Sequence, residues 1–549
     1  MKWFDRLMGR SATPKTAARA FNAARVDRLT ASWIASTNSI NQELRNDLDR
    51  LRARSRDLSK NNDYARKFKK MCVTNIVGPS GFKLQARVMN LPNQPDGLAN
   101  DAIEAGFAEW SRRGICEITG RQSFPDLCRA LIGDSAIDGE FIIRQIRGKA
   151  AGNAYGYALQ HIDVDRLDTQ LNRAQAGTTN AIVMGIEIDT YRRPVAYHLF
   201  TSHPNDGVSG GRAREIVPAA DIIHGLIIEY PEQVRGAPWM SAAILTMHHL
   251  GEFEQSALLA ARKGADTLGF FVSPDGTPPG IDDTSGGDAI TVSMPGHYET
   301  LPDGYDFKAY DSKYPDAMLA DFTKSYLRRM ASGLNVAYNG LANDLEGVNF
   351  SSIRSGVIDE RDQWMTVQGW FIESFLDVIY REWLGLALLN GALTMPNGTP
   401  LPPGKRDKFA VHQWQGRRWQ WVDPVKDINA SLIAIRAGLT SPYAVASQMG
   451  LDLDDVMADL ARANASAASN GLPAYASAQI AAPEPKQAAR PVEADEENKS
   501  LTHALIRAMS QDRQTIINNN LPAVTVELEA TLPAYSSAEN ELVPHEGVA

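Results

Sequence analysis

Three places in the sequence carry residue types that could do chemistry. Gly207-Val208-Ser209-Gly210-Gly211 matches G-x-S-x-G, the spacing that exposes a serine hydroxyl for acyl transfer in a nucleophile elbow. That role needs a buried strand before the serine and a helix after it, whereas NDGVSGGRAREIV reads as a turn between two strands. His248 and His249 lie side by side on one predicted helix, with Glu252 and Glu254 following. Neighbouring helical residues point about 100° apart, so the pair lacks the i, i+4 geometry that closes on a metal, and surface histidines are expected. Cys72, Cys116 and Cys128 are the only cysteines, too few and too irregularly spaced for a disulfide framework or a zinc cluster, and are read as core thiols in a reducing cytoplasm. A phosphate-cradling P-loop is missing too: Gly148-Lys149 and Gly404-Lys405 are followed by Ala150 and Arg406 rather than Ser or Thr. No catalytic residue, metal ligand or cofactor is assigned, and the chain is not expected to be an enzyme.

With no enzyme motif, function must lie in architecture. The 549 residues suffice for several domains, and 44% hydrophobic with 22% charged residues is an ordinary globular balance. A net charge of -9 argues against a simple high-affinity nucleic-acid binder, which draws its affinity from Lys and Arg on phosphates. Residues 1–15 carry Asp5 and Arg6 and no long apolar run, so no secretory signal is expected. The most apolar stretch, residues 369–393, is interrupted by Glu373, Asp377, Arg381 and Glu382, which a membrane span would not tolerate.

Residues 40–76 read as a basic helix pair broken near Asn61-Asn62, carrying Arg45, Arg50, Arg52, Arg54, Arg56, Lys60, Arg66, Lys67, Lys69 and Lys70. These are either a solvated face or a contact surface for an acidic neighbour or nucleic acid. Residues 80–235 alternate helical and extended pieces, an α+β region with a mostly antiparallel sheet. A long helix follows over 241–269, then a small β-rich module, then a helix over 316–330. If the two helices pair, the ends of the module must lie close together. From near Ser351 a further helix continues past Trp383, with Val357, Trp364, Phe371, Phe375 and Val378 expected on one apolar stripe. Trp414, Trp419 and Trp421 mark a short strand-like piece, helices resume at 424, and from about residue 464 the Ala, Ser, Pro and Glu content reads as linker or disorder.

Between the 316–330 helix and the next lies NVAYNGLANDLEGVNF, an irregular loop held at both ends by helices. Gly340 and Gly347 allow backbone adjustment, Asn339, Asn343 and Asn349 offer polar groups without fixed charge, and Asp344 and Glu346 carry the loop's negative charges. The same residue types serve local capping and turn chemistry.

Six ordered blocks resemble the lambda-type portal proteins of tailed bacteriophages, over roughly residues 25–470. They are RSRDLSKNNDYARKFKKMCVTNIVGPSGF (54–82), DGEFIIR (138–144), LQHIDVDRLD (159–168), GIEIDTYRRPVAYHLF (185–200), DIIHGLIIEYPEQVRGAPWMSAAI (221–244) and LRRMASGLNVAYNGLANDLEGVNFSSIRSG (327–356). The resemblance implies an α+β portal fold assembling as a closed ring, typically of about twelve subunits, at one capsid vertex. Double-stranded viral DNA would be packaged and ejected through it. The implied divisions are a flexible N-terminal arm (1–24), a wing (25–239), a first stem helix (240–269), a clip (270–313), a second stem helix (314–333), a tunnel loop (334–350), a long helix returning to the wing (351–422), a helical crown (423–463) and a largely disordered tail (464–549).

The implied tunnel-loop contacts are Asn339, Asn343, Asp344, Glu346 and Asn349. Lys324, Arg328 and Arg329 would form a sparse basic belt on the stem, or else pair between subunits or with a helix C-terminus. Asp275, Asp282 and Asp283 would make the clip acidic, for partner docking or for solubility. Implied partners are other copies of the chain, viral DNA, the large terminase subunit, major capsid or scaffold proteins and head-tail adaptor proteins, with no membrane. The implied place is the virion, and the host cytoplasm during assembly. A capsid-associated ring without DNA passage, and a hydrolase at Ser209, are the alternative readings.

Overall fold

The computed structural model describes residues 28, 32 and 35–471, apart from 92–93, 207–212, 267–268, 273–305, 310–317, 347–349 and 420–423. Ser209, Asn349, Asp275, Asp282, Asp283 and the tail beyond 471 lie outside the described residues. The chain divides into two units, Met1–Val456 and Met457–Ala549.

Helix α1 (Ile40–Asn61) begins where the Ser39 side chain accepts the Gln42 N–H, and Asn62 then does two jobs. Its own N–H closes α1 on the Leu58 carbonyl, while its side chain accepts from Tyr64 and Ala65 and opens α2 (Asp63–Cys72). The break therefore falls where the Asn pair predicts it. A π-helical turn, Val73–Val77, extends α2. Arg52 is not on a solvated face: it is only 2% exposed, and Arg56 is half-buried.

The α+β region follows, with β1 (Lys83–Ala86), β2 (Met89–Leu91), β3 (Gln94–Pro95), α3 (Gly97–Trp110) and α4 (Phe124–Asp138). Next come β4 (Glu140–Arg147), β5 (Tyr157–Ile162), β6 (Ala181–Val183), β7 (Ile186–Ile188), β8 (Pro194–Phe200), β9 (Arg214–Pro218) and β10 (Ile222–Leu226). Strands β2 and β3 pair with each other, and the strands from β4 on form two antiparallel sheets, in the orders β10-β4-β5 and β6-β7-β8-β9. Helix α4 opens on a reciprocal Ser123–Asp126 capping box and closes on Gly139, whose φ of 87° suits glycine. A Cβ at Gly139 would lie 2.2 Å from the Ala237 backbone, so the β4 entrance and the 235–237 segment pack at glycine distance.

Helix α5 (Ile244–Asp266) leads into β11 (Gly269–Val272), which pairs antiparallel with β12 (Asp306–Ala309) before α6 (Met318–Gly333). The ends of the intervening module are thus adjacent, as helix pairing requires. After α7 (Tyr338–Ala342) and α8 (Phe350–Phe371), a second π turn, Ile372–Leu376, precedes α9 (Asp377–Leu389). Then come α10 (Arg406–Phe409), β13 (His412–Gln415), α11 (Pro424–Arg436), α12 (Pro442–Gln448) and α13 (Leu453–Ser469), and β13 pairs with β1.

One continuous core joins α1–α4 to α8 and α9. Phe107 meets Trp383 edge-on at 5.0 Å and Phe124 at 5.4 Å, and buried Trp110 gives its N–H to the Tyr157 carbonyl at 2.8 Å. The expected stripe holds at Trp364, Phe371 and Phe375 but fails at Val378, which is 37% exposed. The π turn inserts an extra residue per turn, rotating the buried face onto Leu376, Ile379, Tyr380 and Trp383. Cys72, Cys116 and Cys128 are buried free thiols, as expected; burial pushes Cys116 up to about 12.

Where α3 meets β1, Glu104 accepts the Ala86 N–H at 2.7 Å beneath an acidic latch. Asp452 accepts from Gln85 at 2.6 Å and, with Asp454, faces Arg87 at 3.5 and 3.6 Å. Burial, with Asp455, Asp452 and Asp101 nearby, raises the Glu104 carboxyl to about 7 against the help of the Ala86 N–H. An acid raised on folding costs nothing below about pH 4.5, and its penalty grows to full size above about 7. After discounting for solvent screening the penalty is about 1–2 kcal/mol. Glu104→Gln should therefore raise Tm at pH 8 and leave it nearly unchanged at pH 5; equal shifts at both pH values in thermal melts would refute the assignment.

Candidate functional site

Helices α5 and α6 pack against one another through Phe253 and Phe322, 4.7 Å apart, with the Tyr326 ring tilted against Phe322 at 4.6 Å. His248 and His249 are exposed on α5 with rings 5.8 Å apart, and His248 reaches only Glu252, at 4.0 Å. At the far end of α6, Asn335 takes a φ of 55°, turning the chain as the Val336 N–H returns to the Ala331 carbonyl at 3.1 Å. The Asn335 side chain donates to Gln363 of α8 at 3.0 Å.

The segment between α6 and α8 is less irregular than its composition suggests. Val336 and Leu341 are buried, and the short α7 between them packs on α2. Asn343 ends α7 in the left-handed region at φ 54°, and its side-chain oxygen accepts from Lys67 at 2.9 Å. Asn339 is half-buried; Asn343 and Glu346 are exposed.

Asp344 is the centre of this loop. It accepts from Tyr338 Oη at 2.6 Å, from the Glu346 N–H at 2.9 Å and from Lys324 Nζ at 3.1 Å. These donors, Tyr338 foremost, hold its carboxyl down at about 2, and burial with the Asp344 charge pushes the Tyr338 phenol up to about 12. Lys324 and Asp344, read from sequence as a phosphate-attracting and a phosphate-repelling group, thus pair within one chain. Arg328 is exposed and lies over the Tyr338 ring at 5.5 Å, and Arg329 is exposed beside it. The structure brings Lys324, Arg328, Tyr338 and Asp344 together; nothing short-range signals it, since 20 residues separate Lys324 from Asp344.

Elsewhere, the G-x-S-x-G segment runs between β8 and β9, which are antiparallel partners, so a strand rather than a helix follows it. Asp163, Asp165 and His203 form a cluster of metal-ligand type that sequence reasoning passed over. Arg56 already pairs with both carboxylates, 3.3 Å from Asp163, and with Asp138 at 2.7 Å, so a guanidinium is the cation that these carboxylates hold. Among the described residues no helix is long and apolar enough to cross a membrane.

The described residues thus hold a helix pair, α5 and α6, with the β11–β12 pairing at one end and a loop anchored through Asp344 at the other, on an α+β body. Residues 26–368 match the family described as phage portal protein, lambda family, and the chain belongs to that family. It is 36% identical over 450 residues to the probable portal protein of Halomonas phage phiHAP-1, covering 80% of this chain and 85% of that one. It is 20% identical over 489 residues to portal protein B of Escherichia phage lambda, covering 81% and 90%. A chain in the neck of an empty gene transfer agent particle is similar at 14% identity and a TM-score of 0.40, over 74% of this chain and 93% of that one. The family is structural rather than enzymatic.

Proposed function

We propose that the chain forms the ring-shaped channel at one capsid vertex through which double-stranded viral DNA enters during packaging and leaves on infection. The observation that carries the reading is the α5–α6 pair, closed at one end by β11–β12 and joined at the other by a loop fixed through Asp344, within a chain of the portal family. In this reading residues 25–239 are the wing, 240–269 and 314–333 the stem, 270–313 the clip and 334–350 the tunnel loop. Residues 351–422 return to the wing and 423–463 belong to the crown. The clip, with Asp275, Asp282 and Asp283, docks the large terminase subunit and then head-tail adaptor proteins, while the outer ring surface meets capsid or scaffold proteins.

A ring of about twelve copies would carry on the order of -100 in formal charge, which suits a conduit that must let DNA slide. Energy comes from a separate motor, and this chain supplies symmetry, a docking platform and a channel wall. The decisive measurement is native mass spectrometry with two-dimensional electron-microscopy classes of the full-length protein. Rings of about twelve with a central channel are expected; a monomer that persists at high concentration, with scaffold protein added, would sink the reading.

A further inference from the structure

Away from the α6–α8 loop, two arginines lie over one indole with a third next to one of them in the chain. The guanidinium carbons of Arg417 and Arg361 lie 5.6 and 5.8 Å from the Trp419 ring centroid. Arg417 donates to the Thr74 carbonyl and, at 3.0 Å, to Asn75 Oδ1, which also accepts the Trp419 N–H at 3.3 Å. Arg418 donates to Gln368 Oε1 at 3.3 Å and to the Ser447 carbonyl at 3.4 Å. All of these acceptors are neutral. Asp427 is the acid whose charge Arg361 feels.

The cluster is held rigidly. Gln368, 2% exposed, donates to the carbonyls of Asn75, Ile76 and Arg417 at 3.3, 2.9 and 3.1 Å, locking the 417 backbone onto the π turn that ends α2. The Arg417 stem lies on Gly78, where a Cβ would meet its Cδ at 2.9 Å. A guanidinium over the last carbonyls of a helix is favourable and accounts for Arg417 alone. It does not account for a second arginine beside it and a third over the same ring. Burial and then repulsion from Arg361 lower the Arg417 pKa, as like charges in close quarters must.

Arg417 and Arg418, pre-ordered on neutral acceptors beside an aromatic ring, match the demands of a phosphate: charge, a planar donor fork and little entropy left to lose. Arg361 sits on α8, roughly 16 Å along the helix axis from its start beside the Asp344 loop. The same helix that carries Arg361 thus follows directly in the chain on the loop assigned above to the channel. We propose that Arg361, Arg417, Arg418 and Trp419 form a binding site for the phosphodiester backbone of duplex DNA. The proposal rests on the portal reading for the presence of that DNA.

The test compares the full-length protein, in whatever assembly the wild type forms, with Arg417→Gln/Arg418→Gln, using fluorescence anisotropy of a short labelled DNA duplex across a salt series. The slope of log affinity against log salt should become shallower by about two, with affinity at low salt about tenfold weaker and assembly size unchanged. Arg417→Lys/Arg418→Lys should recover the slope, because the slope reports charge, whereas a role in folding alone would recover nothing. An unchanged slope in an intact assembly overturns the site. Loss of assembly in the Gln variant overturns it too, assigning the arginines to a carboxylate of a neighbouring copy. Failure of the portal reading shows separately, as wild-type particles without a channel.

Discussion

Glu140→Gln should be among the most destabilising single substitutions in the chain, costing about 3–5 kcal/mol out of a total that for folded domains is about 5–15 kcal/mol. Glu140 is completely buried at the start of β4 and accepts from Arg52 at 2.6 Å, Arg235 at 2.8 Å, the Gly236 N–H at 2.5 Å and His224 at 3.1 Å. Arg52 belongs to α1 and also donates to the Asp138 carbonyl at 3.0 Å, while Arg235 reaches the Met184 carbonyl at 3.0 Å. One carboxylate thus ties α1, β4, β10 and the 235–236 segment together.

Burial alone would raise the Glu140 carboxyl, but the Arg235 and Arg52 charges overcome it and hold it well below the usual range. A group depressed on folding stabilises fully above its unfolded pKa, so acid should begin to weaken the hub as pH falls below about 4.5, with the loss complete only below the much lower folded value. Removing the charge leaves two fully buried guanidiniums without the carboxylate they share. Chemical denaturation and amide exchange at β4 and α1 should both register the loss. The triple variant Arg52→Met/Glu140→Leu/Arg235→Met, which removes every member of the charged set, should recover most of it. Wild-type exchange rates in Glu140→Gln would show that the hub contributes little.

That hub illustrates where sequence reasoning stops. The helix pair was readable because Asn62 carries its capping chemistry locally, and the module between α5 and α6 because two helices that pack must bring its ends together. Sequence offers Arg52 a solvated face or a contact surface but not burial, since the carboxylate that buries it lies 88 residues downstream. Val378 was misplaced because a π turn leaves no mark in apolar spacing until the register has already shifted. Asn339 to Asp344 looked irregular because Asn and Gly are common there, yet Val336 and Leu341 have a surface on α2 to pack against. Local capping and periodicity are encoded by neighbours in the chain; charge pairing is encoded by neighbours in space, and a single sequence does not list those.

The Lys324–Asp344 pair turns this into a functional test, because anchoring and channel charge predict opposite results for its two halves. With its carboxyl held at about 2, Asp344 is ionised and the pair complete at any pH above about 4, so neutral-pH packaging reads the intact loop. Asp344→Lys changes each subunit by two charges and sets a fourth cation beside Lys324, Arg328 and Arg329, which in a ring makes an attractive belt for phosphates. Nuclease-protected DNA in a packaging assay should fall by about tenfold while rings of normal size still form. Lys324→Met leaves Asp344 unpaired and the wall more negative, so packaging should be retained or faster. If anchoring is what matters, Lys324→Met and Asp344→Asn will instead fail alike, since each removes the same ion pair whatever the sign of the charge left behind. Wild-type packaging by Asp344→Lys would mean that this loop does not face DNA, and the narrowest charged surface would then have to be sought on the arginines around Trp419.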